Sequence, residues 1–366
     1  MPDNVKRSTR RRIAAVATLS ATLTLVAGCS GASSTSGTAK GSPAKRYTYN
    51  SADPSVKPVP AADLKSEFDA LQKPTKPLRL GVVLKTLTNE YWQEVERGMK
   101  AAASKYGVDL NVQAASSESS QSQQLSIAQT MIGQSFNAFL VSPESTSNLA
   151  PALKQMQSKN LPVVNVEDAR VSATTFVGPQ SLLEGGKAGE YIAKQLPNGG
   201  KVAQIEGAAG SSAAQLRTKG FKEAVAGSKG LKLVASVPGD WDARKAYDAA
   251  TSLLRANPDL AAVYANNDTM ALGVVKAVAD AGRTGKVIVV GTDGVPSAIK
   301  AIEAGRLSAS TTPQPFSQGY WAVQSALALI EGKKLPGWVL TPAVLVDKSN
   351  VATMYDPSGR QKNNQS

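Results

Sequence analysis

Residues 78–114 read LRLGVVLKTLTNEYWQEVERGMKAAASKYGVDLNVQA. The run LRLGVVL (78–84) is apolar without alternation, the stretch 90–106 repeats its apolar residues at helical spacing, and DLNVQA (109–114) turns apolar again. An unalternated, Val-rich run reads as a strand covered on both faces. Strand, helix and strand on this scale form a βαβ unit, which sets the two strands parallel with a right-handed crossover. The same alternation continues through AFLVSP (138–143), PVVNVE (162–167), TTFVG (174–178), KVAQIEG (201–207), LKLVASV (231–237), AAVYANN (261–267), KVIVVGTDG (286–294) and LSASTT (307–312). Helical patterns lie between them over 119–134, 148–158, 181–196, 212–227, 243–256, 268–281 and 315–331. Roughly ten strands is many for one open sheet, and the run divides into two halves of four or five units. The expectation is therefore an α/β protein of two doubly wound parallel-sheet lobes.

The flanks are different in kind. A basic start (Lys6, Arg7, Arg10, Arg11, Arg12) precedes an apolar run from Ile13 to Gly28, and residues 25–29 read Leu-Val-Ala-Gly-Cys. That is a charged segment, a core too short to span a bilayer comfortably, and small residues ahead of a cut. Cys29, the only cysteine in the chain, would become the first residue. The arrangement resembles the lipobox of bacterial lipoproteins, which implies a signal peptide over 1–28, a lipidated Cys29 and a membrane-tethered protein outside the cytoplasm, held by two acyl anchors. Thr9-Arg10-Arg11 is compatible with twin-arginine export and equally with an ordinary charged leader, so the route stays open. Residues 29–77 are expected to be a flexible tether, Ser/Gly/Thr/Lys/Pro-rich through residue 60 with one short helix over 61–72. Residues 354–366 are polar and expected to be a disordered tail.

Composition excludes whole classes of chemistry. Among 366 residues there is no histidine, which removes Ser-His-Asp and Cys-His catalysis and every His metal site. Lipidation of the one cysteine would remove thiolate chemistry and disulfides. No metal and no cofactor is expected. The formal net charge is +13; residues 1–28 hold five basic side chains and one acidic, so the remainder carries +9. Segment 29–77 contributes +3 of that, which suits a tether beside an anionic lipid surface. No basic stripe with interleaved aromatics supports nucleic-acid binding. No GxGxxG follows a strand and no GxxxxGK[ST] occurs; the cluster Gly185-Gly186-Lys187-Ala188-Gly189 has neither the place nor the spacing of a dinucleotide motif.

In doubly wound sheets ligands bind beyond the carboxyl ends of the strands. Those positions offer Lys85, Asn89, Tyr91 and Trp92 after the first strand, Ser142 after the third, and Glu167 with Asp168 after the fourth. The second half adds Arg217, Trp241, Asn267 and Asp293. Aromatic rings together with amides, carboxylates and cations match a sugar, which has a C–H face for stacking and a rim of hydroxyls that donate and accept. Each residue also has a plainer reading. Lys85 could be a solvated charge, Asp293 and Asn267 turn or cap residues, Glu167 and Asp168 surface acids, and Trp241 core packing. Trp321 and Trp338 read as packing.

These residues sit in motifs: VVLKTLTNEYW (82–92), LPVVNVED (161–168), EGAAGSSAAQLRTKGF (206–221), PGDWDARKA (238–246), NNDTMALG (266–273) and GKVIVVGTDGVPSA (285–298). From about Leu78 to Val346 the chain resembles the ribose/allose-type periplasmic binding proteins, the sugar-binding subunits of ABC importers. The resemblance implies the type I periplasmic binding protein fold, with a three-strand hinge near 177–181, 311–315 and 341–345. It implies an N-terminal lobe of 78–179 plus 314–341 and a C-terminal lobe of 180–313 plus 342–353. It also implies ligand contacts at Lys85, Asn89, Trp92, Glu167, Arg217, Trp241, Asn267 and Asp293, with Tyr91 at a Phe position. Lys85, where ribose binders tend to have Ser, and Thr292, where they tend to have Phe, bring the chain closer to the allose type. The pair Glu167-Asp168 stands where the family acid is usually Asp, so a carboxylate there reaches about one methylene further. A family Gln falls on Pro313, with Gln314 one residue later. The ligand stays open among hexose, pentose and polyol.

The expectation is a lipoprotein on the outer face of the cytoplasmic membrane that closes on a monosaccharide or polyol. It would act as a monomer and hand the ligand to ABC permease subunits. The alternative within the fold is a sensor presenting its ligand to a membrane receptor. A LacI-like repressor would need a helix-turn-helix where this chain has its leader. A glycoside hydrolase would need two carboxylates flanking one bond, for which Glu167 and Asp293 are the candidates; no enzyme activity is expected.

Overall fold

The computed structural model describes residues 47–362. In chain order the first lobe begins with β1 (Val59–Pro60), a 3-10 turn (Ala61–Leu64) and α1 (Lys65–Asp69). It continues with β2 (Arg79–Thr86), α2 (Glu90–Tyr106), β3 (Asp109–Ala115), α3 (Gln121–Ile132), β4 (Ala138–Val141), α4 (Ala150–Ser158), β5 (Val163–Val166) and β6 (Thr175–Gly178). The second lobe comprises α5 (Ser181–Gln195), β7 (Gly200–Glu206), α6 (Ser212–Ala226), β8 (Leu231–Pro238), α7 (Ala243–Ala256), β9 (Leu260–Ala265), α8 (Asp268–Asp280), β10 (Ile288–Thr292), α9 (Pro296–Glu303) and β11 (Ala309–Thr312). The chain then returns through α10 (Pro315–Glu331) and β12 (Trp338–Leu340) to the first sheet, and ends in the second with β13 (Val344–Asp347) and α11 (Val351–Met354).

The strands form two sheets. The first is parallel throughout, in the order β1-β12-β6-β5-β4-β2-β3. The second runs β13-β11-β10-β9-β7-β8, parallel except where β13 pairs antiparallel with β11. Strand order reverses at β2/β4 in one sheet and at β7/β9 in the other, so each lobe has the crevice at its switch point where doubly wound folds place ligands. β2, β4, β5 and β6 are buried along nearly their whole length, which is why their sequence runs do not alternate.

The helices that the periodicity marks form where expected, within a few residues at their ends. Five elements, β1, α9, β12, β13 and α11, carried no usable signal. Helix α9 is eight residues opened by a proline, β1, β12 and β13 are two, three and four residues long, and α11 is four, too short to establish a period. The glycine cluster at 185–189 serves packing. A Cβ on Gly185 would overlap the Arg217 carbonyl and one on Gly220 would overlap that of Leu182, so α5 and α6 cross backbone against backbone.

Two flanking expectations need correction. Residues 47–77 are not a free tether. Tyr49 Oη donates to Leu161 O at 2.8 Å, Ser51 is buried with its Oγ on Val171 O at 2.7 Å, and Arg170 donates to the Ser51 carbonyl. Val59–Pro60 adds a strand beside β12, and Leu64, Phe68 and Leu71 are buried against the first lobe, each worth roughly 1.5–3 kcal/mol of burial. The segment is anchored through backbone groups and a few widely spaced apolar residues, so no period announces it. The tail differs too. Tyr355 is buried, its backbone bridges Gln361, and Gln361 Nε2 donates to Ser317 Oγ at 2.7 Å. The expectations for the signal peptide, Cys29, the tether over 29–46 and residues 363–366 lie outside the described residues. Among the described residues no helix is long and apolar enough to cross a membrane.

Candidate functional site

A cavity lies where the carboxyl ends of the two sheets face each other. Asn89, Tyr91, Trp92, Glu118, Glu167, Asp168, Ala213, Arg217, Trp241, Asn267 and Asp293 line it. Its volume is about 30 Å³, and Asp168 of the first lobe accepts from Ala213 N and Ser211 Oγ of the second beside it, so the lobes are drawn together here.

Local chemistry fixes each side chain. Asn89 precedes α2 and caps it, its Oδ1 accepting from Tyr91 N at 3.0 Å while its Nδ2 donates to Glu118 Oε1 at 2.7 Å. Asn267 caps α8 in the same way through Met270 N at 2.9 Å. The cap and cavity readings of these asparagines are therefore both true: one end of the amide holds the helix and the residue still lines the cavity. Trp92 is buried, stands edge-on to Tyr91 with ring centroids 4.9 Å apart, and lies under the Lys85 ammonium. Trp241 sits over Gly207, where a Cβ would overlap its ring.

The backbone is strained here. Among the described residues seven non-glycine positions have positive φ, and six of them (Glu167, Asp168, Asp240, Trp241, Asp293 and Gln314) lie at the cleft or its crossings. Such conformations cost of order 1–3 kcal/mol each and persist where surroundings over-determine them. The consecutive left-handed pair Glu167 (φ 46°) and Asp168 (φ 60°) directs two adjacent carboxylates off the end of β5.

Arg217 is the electrostatic centre. It is buried, with Nε on Glu184 at 2.9 Å, NH1 on the Asn266 carbonyl at 3.1 Å, and longer contacts to Asp293 at 3.5 Å and Glu167 at 3.4 Å. Burial lowers its affinity for a proton, yet Glu184, Asp293 and Glu167 more than compensate and its pKa stands well above the arginine value. The carboxylates feel the same burial. Glu167 is pushed up to about 7 by desolvation and the nearby Glu184, against Arg217 and Gln318. Asp293 is raised well above the usual range by burial, with Arg217 opposing and Asp268 and Glu184 adding. Asp268 accepts from Gly294 N at 2.7 Å, Val295 N at 3.1 Å and Ser310 Oγ at 2.7 Å, fixing the loop that carries Asp293.

Of the residues expected at the site, nine line the cavity: Asn89, Tyr91, Trp92, Glu167, Asp168, Arg217, Trp241, Asn267 and Asp293. Lys85, Ser142 and Gln314 do not. Lys85 is buried, and neither a solvated charge nor a cavity wall: it pairs with Asp168. Burial works against its charge, but Asp168 and Glu118 prevail and its pKa is raised. Ser142 is buried to one side, its carbonyl accepting from Gln124 Nε2 at 2.8 Å. Gln314 is the left-handed residue entering α10, with its backbone N on Thr312 Oγ1 at 2.9 Å. Asp168 reaches across to the second lobe, accepting from Ala213 N at 2.8 Å and Ser211 Oγ at 3.0 Å.

Sequence reasoning missed Glu118, Glu184 and Gln318. Glu118 lies in a serine-rich polar run, and Glu184 and Gln318 lie inside helices; only the topology brings them here. Among the described residues no group of three or more His, Cys, Asp or Glu is placed to hold a metal ion.

Comparison with known proteins places this geometry. The family model for a periplasmic binding protein domain matches residues 80–334. The D-allose-binding periplasmic protein of Escherichia coli (strain K12) is 38% identical over 248 residues, 65% of this chain and 80% of that protein. A D-ribose/D-allose-binding protein of Pseudomonas aeruginosa is 34% identical over 289 residues, 75% of this chain and 90% of that protein. A crystal structure of an ABC transporter periplasmic solute binding protein from Actinobacillus succinogenes with bound D-allose superposes with a TM-score of 0.73 at 30% identity, covering 76% of this chain and all of that one.

Proposed function

This chain belongs to the periplasmic binding protein family, and we propose from that premise that it captures a monosaccharide, an allose- or ribose-like hexose or pentose or a related polyol, in the cleft between its lobes. The observation that carries the reading is the convergence of Trp92 and Trp241 with Asn89, Glu167, Arg217, Asn267 and Asp293 on one cavity between two sheets. The indole rings supply stacking faces. The carboxylates accept from hydroxyls, and Arg217 and the asparagine amides donate. Only the closed arrangement brings both lobes' groups to one ligand, so the sugar favours closure by its differential contacts. No bond is made or broken, and the cleft acts by capture and release to ABC permease subunits.

The test is titration of the chain lacking residues 1–28, with Cys29→Ala, against allose, ribose, galactose, xylose, glucose and inositol by calorimetry and tryptophan fluorescence. Saturable binding of one of these on the order of micromolar, about −8 kcal/mol, with fluorescence reporting on Trp92 and Trp241 and the sugar recovered unchanged, is the expected result. A folded protein silent across the panel overturns the sugar reading.

The membrane anchor is part of the same proposal and rests on Leu25–Cys29. Replacing Cys29 by Ala in the full chain is expected to abolish incorporation of labelled fatty acid and to move the protein from the membrane to the soluble fraction. Unchanged labelling would refute lipidation at this residue.

A further inference from the structure

Gln318 lies on α10, in a helix whose sequence reads as plain packing, and it is fully buried. Its Nε2 donates to Glu167 Oε2 at 2.9 Å and to Val177 O at 3.1 Å, and its Oε1 accepts from Tyr91 Oη at 2.5 Å. A carbonyl oxygen can only accept, so Val177 O dictates which end of the amide is NH2. The remaining N–H then points at Glu167, and the phenol is left to donate to the amide oxygen. The same Val177 carbonyl accepts the Glu167 backbone N–H at 3.1 Å, and it belongs to β6 one residue before the chain leaves the first lobe. Glu167, the end of the hinge strand and α10 are thus joined through one side chain.

We propose that Gln318 is a positioning residue for sugar recognition: it holds one oxygen of Glu167 in a hydrogen bond, so that this carboxylate presents its Oε1 to the ligand as a hydroxyl acceptor. The inference rests on the sugar-binding reading of the cleft and extends it. Glu167 is one methylene longer than aspartate, so a carboxylate left free at both oxygens could turn or pick up a proton. The groups facing it are Glu184 from α5, Arg217 from α6, Asp293 after β10, the adjacent Asp168 with its partner Lys85, and Tyr91 from α2. Three of these, Glu184, Asp293 and Asp168, are carboxylates, and they favour the protonated form. Arg217, at 3.4 Å, and the Gln318 amide favour the ionised one. Without the amide, Glu167 would be protonated to a higher pH and would offer a ligand hydroxyl a donor where it needs an acceptor.

The experiment uses Gln318→Met, close in shape and unable to donate, with Gln318→Leu as a second variant. The Glu167 carboxyl is followed by carbon NMR, assigned through Glu167→Gln. Removing a hydrogen bond to the charged form is expected to raise the Glu167 midpoint by roughly one pH unit. Affinity for the wild-type sugar is expected to fall about sixfold further at pH 6.5 than at pH 8.5, because raising the pH restores the carboxylate. A loss of affinity equal at both pH values, with the midpoint unmoved, means that Gln318 only packs, and it overturns the proposal. If both variants misfold, the wild type decides: the Gln318 side-chain amide protons are expected to shift with the same midpoint as the Glu167 carboxyl, and an amide that does not follow Glu167 refutes the contact. A wild type that binds none of the sugars overturns the reading of the cleft, while the two NMR titrations still decide whether Gln318 governs Glu167.

Discussion

Replacing Arg217 by Met is expected to abolish sugar binding and to destabilise the fold by about 3–5 kcal/mol near pH 8, the usual result of removing one partner from a buried ionic cluster. Three carboxylates, Glu167, Glu184 and Asp293, share this one guanidinium within the second lobe and across the cleft. All three already have raised pKa values, with burial as the leading cause, and losing the cation raises them further. An acid whose folded pKa exceeds its unfolded value binds more protons in the folded state, so its destabilising contribution grows as pH rises through that window and fades as pH falls toward the unfolded value near 4.3. The stability deficit of the variant is therefore expected to be largest at pH 8 and to shrink toward pH 5, as measured by urea unfolding at both. A deficit independent of pH would show that Arg217 contributes by packing and that the carboxylates find other partners.

Trp241→Ala is the second large effect. The ring lines the cavity, is only half-buried and lies against Gly207. Its loss is expected to weaken sugar binding by about 2–4 kcal/mol, on the order of thirty- to a thousand-fold, as for other aromatic anchors at the centre of a binding site. The melting temperature is expected to move little, since the left-handed backbone at this residue (φ 64°) has no need of an indole. Gly207→Ala is expected to act in the same direction by displacing the ring, without removing any group that touches the ligand. Calorimetric affinities within threefold of wild type for Trp241→Ala would take the indole out of the recognition surface.

Much of this architecture is legible in one pass along the chain, and the reason is physical. Central parallel strands are buried on both faces, so Val and Leu cannot alternate with polar residues, and the helices between them must carry a 3.6-residue stripe. Because ligands sit beyond strand ends in such sheets, Asn89, Glu167, Asn267 and Asp293 could be singled out by place alone. What stayed hidden depends on contacts between distant residues. Gln318 meets Glu167 across 151 positions and Tyr91 across 227, and nothing in PFSQGYW marks it. Lys85 illustrates the opposite limit. Its place after the first strand suggested the cleft, but it does not line the cavity and its charge is consumed by Asp168, whose backbone is left-handed. The backbone strain at Glu167, Trp241 and Asp293 likewise has no signature in residue type.

The segment that opens the described chain makes all its long-range attachments to one half of the molecule. Tyr49 bonds to Leu161, Ser51 to Val171 and Ala173, β1 to β12, and Lys333 to the Glu67 carbonyl. Mechanically that half is the mounted part and the other is the free arm. A pull on the N-terminus loads the mounted half alone and does no work along the coordinate by which the arm swings shut. With the anchor proposed at Cys29, grip on the sugar is therefore expected to be the same whether the protein hangs from a bilayer or drifts in solution.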